Sequence, residues 1–442
     1  MRASAKSNGI LHNVFALYGV QIGRKVIPLL SVPYLARVLG PVGWGTVAFA
    51  AALAEFVVIL IEFGFNISAT RETARKRDDP SALSDIVAGV LGAQIVLAAC
   101  GIAAAVTVAR FVPLLRQHPD LLMAGLIYAV AQGFAPLWFF QGLERMRLSA
   151  ALEVSGKLAA LGGLFLFVHQ PEDGWKVLAL SGIAPLLTTV AGFWLAYRVV
   201  PLQAPSLRVI VPALKMGWPM FLFRSAESLY GVGNAFLLGL FTTPELVGYF
   251  ASAEKIAKAT FGLLNPIREA IFPRLSHLVA KHGSKAAVPL ARRGAMVMIG
   301  AGALLGLALF VFAPFAIRLL LGSAFAPAVT VLRIFAALPL LLSITYSVGF
   351  QWLLPLGQDR AISQIILAAG VLNLSLSFGL AARYAHVGMA VSVMCAEAFV
   401  SIAMVVAVCR VNSASTSASS STSSPLSTVS SSENRQVEVP ST

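Results

Sequence analysis

The chain has 442 residues, of which 58% are hydrophobic and only 12% are charged, and its formal net charge at pH 7 is +14. A soluble globular domain carries about 25% charged residues, so this composition excludes one and predicts an all-α polytopic membrane protein. Basic residues in such a protein first set its orientation, and their excess predicts contact with membrane lipids and no nucleic-acid binding.

Apolar segments of about twenty residues or more, the length that crosses roughly 30 Å of hydrocarbon, recur along the chain. We predict twelve transmembrane helices, at 12–36, 43–64, 86–108, 121–141, 148–168, 177–197, 216–240, 246–267, 294–317, 327–354, 361–382 and 387–409. The first is not a cleaved signal peptide, because Arg24 and Lys25 interrupt its apolar core. We therefore expect it to remain as a membrane helix.

The loop Lys and Arg residues set the orientation. They concentrate in 71–77, after the second predicted span, and in 268–293, after the eighth. The positive-inside rule places these loops and both termini in the cytoplasm. Residues 411–442 form a Ser/Thr-rich tract with little to bury, which predicts a disordered cytoplasmic tail.

The first two predicted spans carry charges where a membrane helix should have none. Arg24 and Lys25 lie near the middle of the first, and Glu55 and Glu62 lie seven residues apart, on one face, in the second. A central Lys or Arg costs roughly 2.5 to 3.5 kcal/mol on insertion scales, so such groups face a bundle interior or a wet cavity. This pair of spans is predicted to form a cavity wall.

The two halves of the chain resemble each other weakly. A shift of 203 residues places Pro41 on Pro244 and Gly45 on Gly248. This pattern predicts two six-helix lobes related by a parallel pseudo-repeat, an N-terminal lobe at 1–200 and a C-terminal lobe at 201–410.

Charges recur in the seventh and eighth predicted spans, so the candidate site residues come from both halves. The cations predicted to bind an anionic group such as a diphosphate are Arg24, Lys25, Arg224, Lys255 and Lys258. The carboxylates that are candidates for binding a coupling H⁺ or Na⁺ are Glu55, Glu62, Glu227 and Glu254. The alternative is that these charges pair with one another as structural ion pairs. No catalytic triad, phosphate-cradling loop or metal-ligand spacing is found, so we expect neither an enzyme nor a cofactor.

Four stretches resemble the Wzx-type polysaccharide flippases of the multidrug/oligosaccharidyl-lipid/polysaccharide (MOP) superfamily. They are LGPVGWGTVAFA at 39–50, EFGFNISATRETAR at 62–75, PLWFFQGLERM at 136–146 and YFASAEKIAKATFGLLNPIREAIFPRLS at 249–276. The resemblance implies a cavity lined by helices one, two, seven and eight. It further implies export of undecaprenyl-diphosphate-linked oligosaccharide across the bacterial inner membrane by alternating access, for surface polysaccharide synthesis. A polysaccharide polymerase and a chain-length regulator are the implied protein partners.

Three other classes stay open. One is a structural or scaffold membrane protein, which would not need Arg24 and Lys25 in mid-span. A drug/cation antiporter of the same superfamily needs net acidic binding chemistry, which the clustered cations disfavour. A membrane-embedded polysaccharide polymerase usually has a large extracytoplasmic loop, whereas the outer loops predicted here are short.

Overall fold

The computed structural model describes the backbone of residues 2–421 and the side chains of residues 30–145, 151–225, 228, 231–283 and 286–411. This part of the chain contains helices and no strand, which confirms the prediction of an all-α protein. The helices are α1 (Arg2–Glu62), α2 (Phe65–Arg75), α3 (Pro80–Phe111), α4 (Pro113–Gln117), α5 (Pro119–Gly133), α6 (Leu137–Gly142), α7 (Met146–Phe167), α8 (Gly174–Ser181), α9 (Ile183–Val199), α10 (Leu207–Gly231), α11 (Asn234–Phe241), α12 (Pro244–Gly262), α13 (Asn265–Leu320), α14 (Ala328–Ile334), α15 (Leu338–Ile344), α16 (Gln351–Leu353) and α17 (Asp359–Ser421). A π-helical turn, Thr345–Phe350, lies between α15 and α16.

Several helical segments have the length and apolar composition of membrane spans. Among the residues with described side chains there are seven: Leu30–Arg75, Pro80–Phe111, Pro119–Gly142, Pro171–Val199, Ala286–Leu320, Ala328–Leu353 and Asp359–Val411. The protein is therefore a multi-pass membrane protein. The count of twelve crossings and their division into two lobes stay predictions.

The seven segments do not correspond one to one with the predicted spans. Leu30–Arg75 and Asp359–Val411 run 46 and 53 residues, longer than the ~20 residues of one crossing, and they kink at Gly40 and Ala385. Conversely, α7, α10 and α12 have 22, 25 and 19 residues but carry charged side chains within otherwise apolar sequence. Those charged helices line the cavity described below.

The outer surface of the bundle is suited to lipid. On α13, large apolar side chains are largely exposed, including Leu304, Leu307 and Phe315 at 68%, 62% and 63%. A soluble protein rarely exposes so continuous an apolar surface. This face is expected to contact acyl chains.

Glycines fix both ends of the carboxylate-bearing segment 41–62. Gly40 has φ 65° and Gly64 has φ 74°, values in the left-handed region that favours glycine. At Gly64 a Cβ atom would also lie 2.5 Å from the Cβ of Met220 on α10. The segment therefore starts and stops at defined points, which sets the height of its charged side chains in the bundle.

Asp79 caps the N-terminus of α3 beside the basic loop. Its Oδ1 accepts hydrogen bonds from the backbone N–H groups of Ala82 (3.1 Å) and Ser81 (3.0 Å). The hydrogen bond from Ala82 has the largest effect, and together the two bonds hold the pKa of the Asp79 carboxyl below its ordinary value. The Asp79 side chain thus supplies acceptors for backbone N–H groups in the first turn of α3 that have no partner within the helix.

The closest helix packing joins α1 to α12 at a pair of glycines, which we call the glycine crossing (Pro41, Gly45, Pro244 and Gly248). A Cβ added to Gly45 would overlap the carbonyl oxygen of Pro244, and one added to Gly248 would overlap that of Pro41. These are the positions that the 203-residue shift aligns, so they face each other in space. The crossing lies at the end of segment 41–62 opposite the basic loop 71–77.

The aromatic motif at 138–140 lies in the protein core. Trp138 and Phe139 are 1% and 0% exposed and pack in one cluster with Phe65 and Ala69 of α2 and with Ala196 of α9. This cluster anchors α2, which carries the basic loop, against the transmembrane helices.

Candidate functional site

A polar cavity of about 590 Å³ lies between α1, α5, α7, α8, α9, α10 and α12. Its polar lining side chains are Ser31, Glu55, Glu62, Tyr128, Gln132, Glu153, Lys157, Ser181, Thr188, Arg224, Ser228 and Lys258. The volume is within the range of about 300–1,000 Å³ typical of small-molecule sites. So many polar groups inside an apolar bundle indicate a site for a polar ligand.

One wall of the polar cavity is acidic and rich in hydrogen-bonding groups. Glu55 and Glu62 both line it, in agreement with their shared helical face. The hydroxyl of Tyr128 on α5 donates to Glu55 Oε1 over 2.6 Å. Gln132, one turn further along α5, lies on the same wall. Carboxylate, phenol and amide groups together can bind several hydroxyls of a polyol.

The cations come mainly from the second half of the chain. Arg224 of α10 interacts electrostatically with both Glu55 and Glu62. On α12, Lys258 Nζ donates over 2.9 Å to Glu254 Oε1 and over 2.9 Å to the carbonyl oxygen of Gly231. The cavity therefore brings acidic residues of one half against basic residues of the other.

Two further pairs of polar side chains, one lining the cavity and one behind its wall, extend these contacts. On α7, Lys157 Nζ pairs with Glu153 Oε1 at 2.7 Å, and both residues line the cavity. Behind the cavity wall, Asn234 Nδ2 lies 3.5 Å from Glu254 Oε1 and its Oδ1 accepts from Asn373 Nδ2 at 2.9 Å. The Glu254 carboxylate is thus held between a cavity lysine and a buried amide pair.

The structure brings together four of the nine predicted site residues as cavity lining, namely Glu55, Glu62, Arg224 and Lys258. Glu254 contacts the cavity only through Lys258. Lys255 is directed elsewhere, with its Nζ 4.4 Å from the centroid of the Trp44 ring on α1, a cation–π contact beside the glycine crossing. The side chains of Arg24, Lys25 and Glu227 lie outside the described residues.

Several cavity residues escaped the sequence analysis. Tyr128, Gln132 and Thr188 are isolated polar residues in apolar spans, and no charge marks their positions. The spacing of Tyr128 and Gln132, four residues apart and so on one helical face, is the one signal that would have indicated them.

The side chains that line the cavity are suited to binding a ligand. Among the residues that the structure describes, no group of His, Cys, Asp or Glu is arranged to hold a metal ion. The paired charges and hydroxyl-binding groups suit a ligand that combines an anionic part with a polyhydroxylated part.

Comparisons with known proteins agree with one another. A family model described as "Polysaccharide biosynthesis protein" matches residues 10–279. A "Putative O-antigen transporter" of Escherichia coli (strain K12) is 30% identical over 396 residues, covering 88% of this chain and 94% of its own length. A solved structure described as "Inward-facing conformation of a multidrug resistance MATE family transporter of the MOP superfamily" superposes with a TM-score of 0.69, at 14% identity over 89% of this chain and 99% of its own. Another, "Lipid II flippase MurJ, inward closed conformation", gives a TM-score of 0.66, at 13% identity over 90% and 87%.

Proposed function

The chain belongs to the polysaccharide biosynthesis protein family, and from this premise we propose that it is a member of the MOP superfamily that flips undecaprenyl-diphosphate-linked oligosaccharide repeat units across the bacterial inner membrane. The curated relative is named as a transporter, and we treat the chain as a transporter and not as an enzyme. The observation that carries the proposal is the polar cavity, which holds cations and hydroxyl-binding groups inside an apolar bundle.

The substrate's chemistry explains why such a cavity is needed. An oligosaccharide head group and a diphosphate lose their hydration on entering hydrocarbon, and each unpaired polar group costs several kcal/mol. Arg224 and Lys258 would bind the diphosphate, with Arg24, Lys25 and Lys255 as further candidates. The Glu55, Tyr128 and Gln132 wall would bind sugar hydroxyls, while the polyprenyl chain stays in the lipid.

Alternating access supplies the translocation step. We propose twelve helices in two six-helix lobes, whose relative movement opens the cavity first to the cytoplasm and then to the opposite side. The glycine crossing supports this arrangement, because it joins α1 of the first half to α12 of the second at one end of the cavity. Both termini would then be cytoplasmic, and a polymerase and chain-length regulator would receive the product outside.

Ion coupling is proposed at the cavity carboxylates, with Glu227 and Glu254 as candidates beside Glu55 and Glu62. An ion shifts a conformational equilibrium only through different affinity for the two states. Replacing Glu55 and Glu62 with glutamine keeps their size but removes the charge that attracts H⁺ or Na⁺. We expect transport by these variants to lose its response to an imposed pH or sodium gradient in vesicles, whereas the exposed control Glu172→Gln responds like the wild type. A full response by the double variant would exclude these two residues as the coupling site.

The carboxylates also make a drug/cation antiporter the second candidate, because Glu55, Glu62 and Glu153 line the cavity. Export of a cationic dye against a proton or sodium gradient would favour it.

The proposed function is tested in proteoliposomes that contain a fluorescent undecaprenyl-diphosphate oligosaccharide. We expect the purified protein to speed movement of the head group between leaflets, measured as the fraction accessible to an added glycosidase. Protein-free liposomes are the control. Export of cationic dyes together with no head-group movement would contradict a flippase and support the antiporter.

A further inference from the structure

The described cations of the polar cavity already face carboxylates. Lys157 pairs with Glu153 at 2.7 Å and Lys258 with Glu254 at 2.9 Å. Arg224 faces Glu55 and Glu62, so one guanidinium serves two acidic side chains. Among the described residues, the cavity therefore contains no excess of positive charge.

This balance limits which ligand groups the cavity can accept. If the substrate is a lipid-linked oligosaccharide, its diphosphate binds Arg224 and Lys258, as proposed above. A second anionic group, such as the carboxylate of a uronic acid, would then lie beside Glu55 and Glu62 with no further partner among the described cations of the cavity. Like charges placed together repel each other, so a carboxylate held beside Glu55 and Glu62 is disfavoured.

Uncharged sugar groups face no such penalty. Glu55 has its Oε1 occupied by the Tyr128 hydroxyl at 2.6 Å, which fixes the carboxylate and leaves the Oε2 atom as an acceptor for a sugar hydroxyl or amide N–H. Gln132, whose side chain also hydrogen-bonds Glu62, still offers its amide oxygen and a second N–H on the same wall. These groups match the hydroxyl and acetamido substituents of sugars. The Glu55 carboxylate would also accept a hydrogen bond from the amino group of an amino sugar.

We propose that the polar cavity selects repeat units whose enclosed sugars are neutral or bear amino groups, and that it discriminates against uronic acids. The inference rests on the proposed flippase function and deepens it by naming the substrate class. Specificity of this kind comes from a repulsive element as much as from an attractive one.

The test uses two bacterial strains that lack their own flippase, one making a neutral repeat unit and one making a repeat unit with a uronic acid next to the diphosphate-linked sugar. We expect the full-length protein to restore export of the neutral polymer and to export the acidic polymer at least about tenfold less, corresponding to ~1.4 kcal/mol. In Glu55→Gln/Glu62→Gln the guanidinium of Arg224 is released, so the ratio of acidic to neutral export should rise.

Glu245→Gln is the matched control. Glu245 also accepts a hydrogen bond from a tyrosine, Tyr249, at 2.5 Å, but it does not line the polar cavity, so this variant should keep the wild-type ratio. Equal export of both polymers by the wild type would overturn the inference while supporting the flippase function. Export of neither polymer would overturn the flippase function, and this inference with it.

If the Glu55→Gln/Glu62→Gln variant does not transport, ligand binding is measured in place of the export ratio. Short-chain prenyl diphosphates carrying glucose or glucuronic acid are titrated against the purified protein. The wild type should bind the glucose compound more tightly, and the double variant should bind the two more equally. An unchanged affinity ratio in a folded double variant would overturn the assignment to Glu55 and Glu62.

Discussion

Replacing Gly45 with leucine should abolish polysaccharide export while leaving the protein in the membrane. Even a single Cβ at this position overlaps the carbonyl oxygen of Pro244, so the start of segment 41–62 of α1 and the start of α12 can no longer meet. Overpacking costs about 1–3 kcal/mol, which corresponds to a roughly 5- to 150-fold change in a two-state equilibrium. In the alternating-access mechanism proposed above, each end of the cavity closes in turn, so loss of one closed state would stop the cycle.

The measurement is surface polysaccharide in a strain that lacks the protein and carries the variant, with membrane levels checked by immunoblot. Gly248→Leu should behave in the same way, because its Cβ would overlap the Pro41 carbonyl oxygen. Gly300→Leu on α13 is the control, since nothing lies within 4 Å of a Cβ there. Wild-type export by both crossing variants would show that the two helices need not close.

Replacing Arg224 with alanine should reduce export to below about a tenth of the wild-type level. Its guanidinium is the cation that faces both Glu55 and Glu62. The Arg224 side chain is solvent-exposed whereas Glu55 and Glu62 are half-buried, so removing it leaves two half-buried carboxylates uncompensated and loses a charge-assisted hydrogen bond to the proposed diphosphate, worth about 1.5–3 kcal/mol. Arg224→Lys should recover only part of the activity, since an ammonium cannot bind two oxygens side by side as a guanidinium does.

Export and head-group movement in proteoliposomes measure this effect. Lys215→Ala is the matched control, because Lys215 is an exposed cation on the same helix that does not line the polar cavity. Near-normal export by Arg224→Ala would remove Arg224 from the proposed diphosphate site.

Hydropathy predicted the fold class because apolar length is a local property of the sequence. The same locality identified the shared face of Glu55 and Glu62, since seven residues make nearly two helical turns. The number of crossings is harder to obtain. Gly40 has non-helical backbone angles, so α1 consists of two helices joined at a kink, and apolar length alone does not show where one helix ends and the next begins.

Side-chain direction could not be read from spacing alone. Lys255 and Lys258 are three residues apart, which predicts one cationic cluster on α12. In the structure Lys258 lines the cavity, whereas Lys255 reaches Trp44 on α1, a contact that depends on how two distant helices cross. Tyr128 was missed for a related reason, because its importance comes from its hydrogen bond to Glu55, 73 residues away.

The glycine crossing also constrains how this sequence can vary. When two side chains meet, enlargement of one can be offset by shortening the other, so the pair can drift together. At Gly45 and Gly248 each added Cβ would collide with backbone, and neither partner has a side chain to give up. No compensating substitution therefore exists, and both positions should remain glycine even where other residues matched by the 203-residue shift differ, as Glu55 and Lys258 do.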